Sequence, residues 1–362
     1  MAAARQTYKP NSLPYLQLVE AGVAQFANNL RADLANQHPY VKEAVESYLS
    51  ILEAGGKRIR GSLSICGYQM HDGPNIELIS HVAGIIESLH AYLLVIDDIA
   101  DRASTRRGIP SAHYAMEAYL RKRHTTLNIK QLAADMVISG GLVGQHKAQS
   151  LLAGMDFDKD RKIQVISIIN DHLAKTGLGQ ILDMSAAIGI PMSANSIKSI
   201  ALTKTAYYTF QMPLEVGSIL AGAPESSMHI LKKYSLHAGH AFQLQDDIMG
   251  VFGDEKKMGK SAKSDIIEGK QTLLVVYAMD KASKSQSSFL KKALGNAKLS
   301  DKDFEECQDI MVSTGALDKV GRLANEEVSL AHEILDNAPS EWPTKNVEYL
   351  RHLASFAADR DT

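Results

Sequence analysis

Apolar residues recur at intervals of three and four positions through most of the chain from Leu16 onward. This spacing places them along one face of an α-helix. Prolines and glycines fall mainly between the periodic stretches, where helices usually end. Useful lengths of strict apolar and polar alternation, the pattern of β-strands, are not found. The pattern therefore predicts an all-α protein: a single large helical bundle forming one domain over residues 1–362, with an irregular leader at residues 1–15.

The joints between the periodic stretches set the expected helix boundaries. Gly55-Gly56 should end one helix, and Asp72-Gly73-Pro74 should form a turn. Pro213 removes a backbone hydrogen bond and is expected to kink the helix that contains it. The main predicted helices cover residues 16–34, 41–54, 62–70, 76–101, 128–153, 159–173, 176–188, 195–222 and 346–358.

The composition limits the classes of function. The chain has 362 residues, 45% of them hydrophobic, and a formal net charge of −2. That charge gives no reason to expect nucleic-acid binding or attraction to an acidic membrane. A short basic cluster at residues 121–124 is interpreted as a solvated helix end or loop. No stretch approaches roughly 18 uninterrupted apolar residues, so no membrane span is expected.

The cellular compartment is inferred from the N-terminus and the cysteines. The first residues lack the apolar segment of a signal peptide. Cys66 and Cys307 stand far apart and neither belongs to a CxxC pair, which fits a reducing compartment. These features predict a soluble, cytoplasmic protein.

Three aspartates follow an apolar run near the end of a predicted helix. Asp97 and Asp101 share a helix face, and Asp98 lies about 100° from Asp97. Carboxylates this close repel one another unless a cation lies among them. Hard oxygen ligands suit Mg²⁺, which often shares its coordination shell with a substrate phosphate. Arg106 and Arg107 follow and offer donors for phosphate oxygens. The motif indicates a substrate with a phosphorylated head and an apolar tail; the alternative is a solvated helix end with paired charges.

A second acidic pair, Asp246 and Asp247, closes another long apolar helix. Helices that end in such pairs can face each other across a bundle and hold metals between them. This second pair favours the metal-site interpretation of the first cluster over the solvated helix end.

Two competing motifs are rejected. Glu87-Ser88-Leu89-His90 is an ExxH sequence, but di-iron bundles need a second one, which this chain lacks. Residues 253–261 resemble a P-loop, but five residues separate the glycines instead of four and no strand precedes them. This segment is interpreted as a mobile loop.

Five stretches, taken together, resemble one protein family. They are GGKRIR (55–60), ESLHAYLLVIDDIADRASTRRGIPSAH (87–113), GLGQILD (177–183), KTAYYTF (204–210) and FQLQDDIMGVFGDEKKMGKSAKSDIIEGKQTLL (242–274). In this order they are similar to trans-isoprenyl diphosphate synthases of the farnesyl and geranylgeranyl type. The resemblance implies a helical bundle of the isoprenoid synthase type with a central active-site cavity, and a homodimer. It also implies Mg²⁺-dependent condensation of isopentenyl diphosphate with allylic diphosphates.

The resemblance further implies roles for individual residues. The metal ligands would be Asp97, Asp98, Asp101, Asp246 and Asp247, holding three Mg²⁺ around the allylic diphosphate. The remaining oxygens of that diphosphate would be bound by Arg106, Lys204 and Lys260, with Thr205 in the substrate site and Gln243 supporting the second acidic pair. Isopentenyl diphosphate would be bound by Lys57, Arg60, His90 and Arg107, and Lys270 would help to close the loop. For Lys204, Lys260 or Lys270 taken singly, a solvated surface residue is the alternative.

Product length should depend on the helix before Asp97. The growing chain is expected to run beside the residues four, five, eight and nine positions earlier: Leu93, Tyr92, Leu89 and Ser88. In the family that the chain resembles, aromatics at both the fourth and fifth positions tend to go with a fifteen-carbon product. An aromatic at the fifth alone tends to go with twenty. Tyr92 beside Leu93 therefore favours geranylgeranyl diphosphate, with farnesyl diphosphate second and a longer chain third; an ordinary core tyrosine is the alternative for Tyr92.

Several positions depart from the family pattern. Gly61 stands where a proline is usual, Ser111 replaces a threonine, Gly141 stands where many members have aspartate, and Gly250 replaces the last aspartate of the second motif. The stretch 114–135 is also longer than usual.

Two other function classes remain as alternatives. Terpene cyclases on the same fold carry an Asn/Ser/Glu motif instead of the second aspartate pair, and they need no isopentenyl diphosphate site. Non-catalytic partner subunits of heteromeric synthases typically lose acidic ligands, which this chain keeps. Elongation of an allylic diphosphate by the chain alone would exclude both.

Overall fold

The computed structural model describes residues 14–125, 128–186, 193–254 and 262–358. Some features expected from the sequence lie outside these ranges. They are residues 1–13 of the leader, the last residues of the predicted helix 176–188, Lys260, and most of the P-loop-like segment.

The described elements are almost all helical. In chain order they are α1 (Leu16–Asp33), α2 (Pro39–Glu53), α3 (Ile59–Met70), α4 (Ile76–Ala100), β1 (Thr105–Arg106), β2 (Ile109–Pro110), α5 (Ala112–Arg121), α6 (Ile129–Gly154), α7 (Lys159–Ala186), α8 (Ala194–Ala201), a π-helix (Leu202–Gln211), α9 (Met212–Ala221), α10 (Glu225–Phe252), α11 (Ser264–Ile267), α12 (Leu273–Lys281), α13 (Lys284–Ala293), α14 (Asp301–Ser313), α15 (Ala316–Asp336) and α16 (Thr344–Ala358).

The chain divides into two compact units. The first comprises Met1–Ser167 and Pro213–Ala223, and the second comprises Ile168–Met212 and Pro224–Thr362. The single domain expected from the sequence stays a prediction.

Helix α4 is the buried centre of the first unit. Its sequence is apolar on almost every side, which is typical of a helix surrounded by protein, and it packs against α1, α2, α3 and α6. Gly22 of α1 and Gly84 of α4 allow the closest approach, because a Cβ at either position would overlap the backbone of the other helix. This packing fixes the position of the aspartates at the C-terminal end of α4.

Among the described helices, α4 is the one that is long and apolar enough to cross a membrane. In the folded chain, 67% of the most apolar 18-residue stretch of α4 is buried inside the protein. The packing of α4 within the first unit accounts for its apolar surface.

The second unit is arranged around α10. This helix packs against the π-helix, α15 and α16, while α12 packs against α8 and α15. Apolar side chains from α10 to α15 form the core of the unit, including Leu244, Leu274 and Met311, which are buried.

Two helix predictions were wrong in detail. The predicted helices 159–173 and 176–188 are one helix, α7, which continues through Gly177 and Gly179. Glycine lowers helix stability by about 1 kcal/mol relative to alanine, but a Cβ at Gly179 would lie 2.7 Å from Thr203 Oγ1. Glycine therefore permits a close contact with the π-helix and does not end α7.

The interruption expected at Pro213 takes another form. A π-helix covers ten residues before it, from Leu202 to Gln211, and the Met212 amide bonds the Tyr207 carbonyl five residues back. Such segments are rare and are frequent at functional sites. This one carries Lys204 and Thr205.

Candidate active site

The first aspartate cluster lies in the last turn of α4. The Ala103 amide bonds the carbonyl of Asp98, and the Arg102 amide bonds that of Ile99, which is the Schellman pattern of helix ends. Arg102 takes a left-handed conformation, with φ +55°, at the position where glycine is usual. The carboxylates thus lie at the negative end of the helix dipole, where a cation is stabilised.

A short β-hairpin brings Arg106 back onto Asp98. Strands β1 and β2 pair antiparallel, and the turn residues Arg107 and Gly108 have φ of +53° and +78°, as a type I′ turn requires. Arg106 Nε donates to Asp98 Oδ1 at 2.8 Å, and the Arg106 guanidinium lies 3.5 Å from Asp97 Oδ2. The structure therefore brings Asp97, Asp98 and Arg106 together, and the diphosphate-binding role assigned to Arg106 stays a prediction.

Asp98 has the features of a metal ligand. Its side chain is fully buried, and burial raises its pKa against the opposing effect of the Arg106 hydrogen bond. Oδ1 accepts from Arg106, but Oδ2 is buried and receives no hydrogen bond from the described residues. A buried carboxylate oxygen without a donor is costly. A bound cation would satisfy it, so the residues fit a metal at this position.

A cluster of cations forms in the same unit. Arg60 Nη1 lies 3.2 Å from His90 Nε2. Burial lowers the pKa of His90 well below its usual value, and the charges of Arg60 and Arg107 lower it further, so neutral His90 can accept a hydrogen bond from Arg60. Arg107 donates to the Gly55 carbonyl, and burial lowers the pKa of Arg107 to about 10. Three of the four residues assigned to isopentenyl diphosphate thus meet, while Lys57 is exposed in the preceding loop.

Arg58, to which the sequence motifs assigned no role, is a structural residue. Its side chain is 1% exposed and pairs with Glu20 at 2.8 Å and with Glu87 at 3.5 Å. Glu87 also accepts from the Gly61 amide at 2.9 Å. These bonds tie the loop before α3 to α1 and α4, and so fix the helix that carries Arg60. Glu87, which belongs to the rejected ExxH sequence, therefore has a role that its spacing could not reveal.

The residues assigned to product length are Leu93, Tyr92, Leu89 and Ser88. The Tyr92 ring lies against α6 at Gly141, where an added Cβ would overlap the ring. The space that an aspartate would fill at position 141 is thus occupied by tyrosine. Ser88 is fully buried, and its carbonyl accepts from the Tyr48 hydroxyl at 2.9 Å. Leu89 is buried and Leu93 is partly exposed.

In the second unit, hydrogen bonds connect the π-helix to α7 and α10. Lys204 Nζ lies 2.6 Å from Asp183 Oδ2. Thr205 Oγ1 donates to Gln243 Oε1, and Gln243 Nε2 donates to Asp247 Oδ1 at 2.7 Å. Thr205, Gln243 and Asp247 therefore form one connected set. Asp183 was missed as a site residue although it ends the quoted stretch GLGQILD.

Asp247 is poorly stabilised as an anion by its protein neighbours alone. Burial raises its pKa to about 8, the Gln243 hydrogen bond opposes this, and the negative charge of Asp265 raises the pKa further. A nearby cation would favour the charged form. The second acidic pair therefore also fits a bound metal.

Asp265 fills the space left by Gly250. A Cβ at Gly250 would overlap the Asp265 carboxylate, so a residue outside the second acidic motif supplies a carboxylate beside Gly250. Lys270 lies 3.5 Å from Asp265 and 2.5 Å from Glu268, which holds α11 and the start of the next segment together. The sequence stretch KSDIIEGK contained this signal, but no spacing argument connects residue 265 with residue 250.

Within the described part of the chain, no three Asp, Glu, His or Cys side chains converge closely enough to hold a metal by themselves. Mg²⁺ usually keeps several waters and binds one or two carboxylates together with substrate phosphates. Each of the two aspartate sites offers a few carboxylates of this sort, which leaves coordination positions for waters and phosphate oxygens. The number of metal ions stays a prediction.

The fold and these sites define an all-α enzyme class in which aspartates at helix ends and nearby cations can bind a diphosphate. A model of the polyprenyl synthetase family matches residues 41–311. The chain therefore belongs to the polyprenyl synthetase family.

Similar proteins agree with this membership. The geranylgeranyl diphosphate synthase of Saccharolobus solfataricus is 30% identical over 319 residues, which are 88% of this chain and 91% of that protein. The farnesyl pyrophosphate synthase of Nezara viridula is 32% identical over 73% of this chain and 64% of its own. The crystal structure of geranylgeranyl pyrophosphate synthase from Corynebacterium glutamicum, complexed with isoprenyl diphosphate and magnesium, matches with a TM-score of 0.90 and 27% identity, covering 96% of this chain and 99% of that one.

The comparisons confirm the predicted family and the all-α isoprenoid synthase fold. They also confirm the enzyme class: the chain is a short-chain prenyltransferase.

Proposed function

We propose that this prenyltransferase adds isopentenyl diphosphate to allylic diphosphates and releases geranylgeranyl diphosphate. Farnesyl diphosphate is the second candidate product and a longer chain the third. Because relatives include both geranylgeranyl and farnesyl enzymes, their names do not decide the length. The observation that supports a twenty-carbon product is the position of Tyr92, five residues before Asp97, with its ring packed against Gly141. The next residue, Leu93, is not a second aromatic.

The proposed allylic site holds its diphosphate through metal ions. Three Mg²⁺ would be bound by the residues of the two acidic motifs, namely Asp97, Asp98, Asp101, Asp246 and Asp247. The buried Oδ2 of Asp98 and the raised pKa of Asp247 support cations at these positions. Arg106, Lys204 and Lys260 would bind the remaining oxygens. Asp98 holds the Arg106 guanidinium in place, and Asp183 holds the Lys204 ammonium.

The proposed isopentenyl diphosphate site consists of Lys57, Arg60, His90 and Arg107. Burial lowers the pKa of His90 most, and the charges of Arg60 and Arg107 lower it further, which supports a site rich in positive charge. An anion bound there would offset that charge. The Arg58 network supports this site from behind without contacting substrate.

The proposed reaction begins when the bond between the allylic carbon and the diphosphate oxygen breaks, leaving an allylic cation and a diphosphate anion. Mg²⁺ held by the aspartates of the two acidic motifs would supply Lewis-acid stabilisation of that leaving group. Arg106 and Lys204 add fixed positive charge to the developing anion. An apolar cavity beside Leu89 and Leu93 would exclude water that would quench the cation. The double bond of isopentenyl diphosphate then attacks the cation, and the departing diphosphate accepts the proton that is lost.

We also propose that the enzyme is a cytoplasmic homodimer. Leu178, Ile181 and Leu182 on the second half of α7 are 67%, 59% and 37% exposed. Their spacing places them on one helix stripe, and apolar surface of this kind is typical of association sites. The proposed occupant is the same surface of a second copy. Light scattering should give twice the chain mass, and a monomer at micromolar concentration would contradict the dimer.

A single assay tests the proposed reaction. The purified chain is incubated with labelled isopentenyl diphosphate, Mg²⁺ and either dimethylallyl, geranyl or farnesyl diphosphate, and the dephosphorylated products are separated by length. We expect a twenty-carbon main product from each primer. A hydrocarbon released without isopentenyl diphosphate would support the cyclase alternative, and no conversion of any primer would support the partner-subunit alternative.

A further inference from the structure

One face of α4 continues from Tyr92 toward the N-terminal end of the helix. Ser88, Ile85 and His81 lie four, seven and eleven residues before Tyr92, so they project from the same side. Helix α6 packs along α4, and two of its glycines, about one helical turn apart, each lie against a tyrosine ring. Gly141 receives Tyr92, and Gly144 receives a second ring, that of Tyr48 from α2.

Tyr48 of α2 packs between α4 and α6, one helical turn from Tyr92 on the side away from Asp97. Its side chain is fully buried, and a Cβ at Gly144 would come within 2.6 Å of its Cζ atom. Its hydroxyl donates to the Ser88 carbonyl at 2.9 Å, so the ring is anchored to α4 while it packs on α6. Ser88 is about 6 Å of helix rise from Tyr92. The two rings therefore contact α4 about one helical turn apart.

Beyond Tyr48, helices α1, α4 and α6 line a half-open cavity of about 290 Å³. It is lined by His81 and Ile85 of α4, Phe26 of α1, and Leu151 and Met155 of α6, among others. One wall, formed by Phe26, Ile85, Leu151 and Met155, is apolar and suits a hydrocarbon tail, whereas Gln25, Asn29, His81 and Ser150 give the cavity a polar part. The cavity lies farther from Asp97 along α4 than either tyrosine.

We propose that Tyr48 is a second chain-length barrier, which sets the product limit once Tyr92 no longer does. This inference rests on the proposed function, in which Tyr92 is the first chain-length barrier. In the unchanged enzyme the chain ends at Tyr92. Without the Tyr92 ring the chain extends by about one unit and stops at Tyr48, and without both rings it reaches the cavity lined by Ile85 and Leu151.

The test compares product lengths from one assay with isopentenyl diphosphate, farnesyl diphosphate and Mg²⁺. Tyr92→Ala should lengthen the main product by at least one five-carbon unit. Tyr92→Ala combined with Tyr48→Ala should lengthen it by at least one further unit. Tyr48→Ala in an otherwise unchanged chain should keep the twenty-carbon main product, because Tyr92 still blocks the path.

Two further variants separate the ring from its hydrogen bond and from folding defects. Tyr92→Ala with Tyr48→Phe keeps the second ring and should give the product length of Tyr92→Ala alone. Tyr92→Ala with Tyr48→Leu keeps an apolar side chain for folding and should give a longer product than Tyr92→Ala. If neither the Ala nor the Leu double variant exceeds Tyr92→Ala, the role of Tyr48 is refuted. If Tyr92→Ala still makes the twenty-carbon product, the role of Tyr92 as the first barrier is refuted, and the role of Tyr48 is refuted with it.

Discussion

Each residue that departs from the family pattern has a matching neighbour in the structure. The Gly61 amide bonds Glu87, Ser111 Oγ donates to the Ala103 carbonyl at 2.6 Å, the Tyr92 ring lies over Gly141, and the Asp265 carboxylate fills the space beside Gly250. The sequence identified the four departures but not their partners, which are 8 to 49 residues away in the chain. Only tertiary packing brings such pairs together.

Gly61→Pro tests one of these pairs. Proline would remove the amide that bonds Glu87 and would add atoms where a Cβ already comes within 2.6 Å of Val19. Overpacking and a lost buried hydrogen bond each cost about 1–3 kcal/mol, so we expect the free energy of unfolding to fall by at least about 2 kcal/mol. Urea unfolding followed by circular dichroism measures this. Gly61→Ala, which keeps the amide, should lose less; a proline variant as stable as the unchanged chain would contradict the contact.

Arg60→Ala tests the separation of the two diphosphate sites. Arg60 lies beside His90 in the proposed isopentenyl diphosphate site, and charge-assisted hydrogen bonds are worth roughly 1.5–3 kcal/mol each. The KM for isopentenyl diphosphate should therefore rise at least about tenfold, with a much smaller change for the allylic substrate. Steady-state kinetics with each substrate varied in turn gives both values. Arg60→Lys, which keeps the charge, should have a smaller effect, and equal increases in both KM values would show that Arg60 is wrongly assigned.

At the scale of elements, the long periodic helices could be predicted and the irregular ones could not. Helix α4 begins and ends within one residue of its expected bounds, and the basic cluster at 121–124 lies at the end of α5, as expected. The β1–β2 hairpin was missed because each strand has two residues, too few for an alternating pattern. The π-helix was missed because its hydrogen-bond spacing leaves no signature that differs from that of an α-helix over ten residues.

The packing of α10 on α15 includes a carboxylate that is bonded by two histidines. His237 and His240 of α10 lie 2.6 and 2.7 Å from the carboxylate oxygens of Glu327. Burial opposes ionisation of Glu327, but the hydrogen bonds from the two histidines lower its pKa from the usual 4.5 to about 2. A folded-state pKa below the unfolded value stabilises the fold above pH 4.5, and this contribution is lost as the pH falls toward 2.

Glu327→Gln should remove this contribution. The difference of about 2.5 pKa units corresponds to at most roughly 3 kcal/mol. The loss in unfolding free energy caused by the substitution should therefore be larger at pH 6 than at pH 3. Chemical denaturation of both proteins at the two pH values measures it. A loss of equal size at both would show that the Glu327 charge does not contribute.

At the scale of the whole molecule, the resemblance of five stretches carried most of the functional assignment. It correctly indicated the polyprenyl synthetase family over residues 41–311, because the motifs keep their order along the chain. It assigned no role to Arg58, Asp183, Asp265 or Tyr48. Their partners lie on other helices, so periodicity and motif spacing contain no information about them.

Metal dependence is the first expectation at this scale. Asp97→Ala should lower kcat at least about a hundredfold, since it removes stabilisation of charge that develops in the transition state. Excess chelator should abolish turnover, and added Mg²⁺ should restore it. Asp336→Ala is the matched control, because this carboxylate is exposed and pairs with Arg351 on the surface. Near-normal turnover in chelator would contradict the metal assignment.

The central claim is that the Tyr92 ring on α4 blocks chain growth and so limits the product to twenty carbons. The direct test is the product distribution of the unchanged enzyme and of Leu93→Tyr, each given isopentenyl diphosphate, dimethylallyl diphosphate and Mg²⁺. The unchanged enzyme should make mainly geranylgeranyl diphosphate. Leu93→Tyr places a second aromatic next to Tyr92, one residue closer to Asp97, and should shorten the main product to farnesyl diphosphate. A main product of fifteen carbons, or of more than twenty, from the unchanged enzyme would contradict the account, as would an unchanged length in Leu93→Tyr.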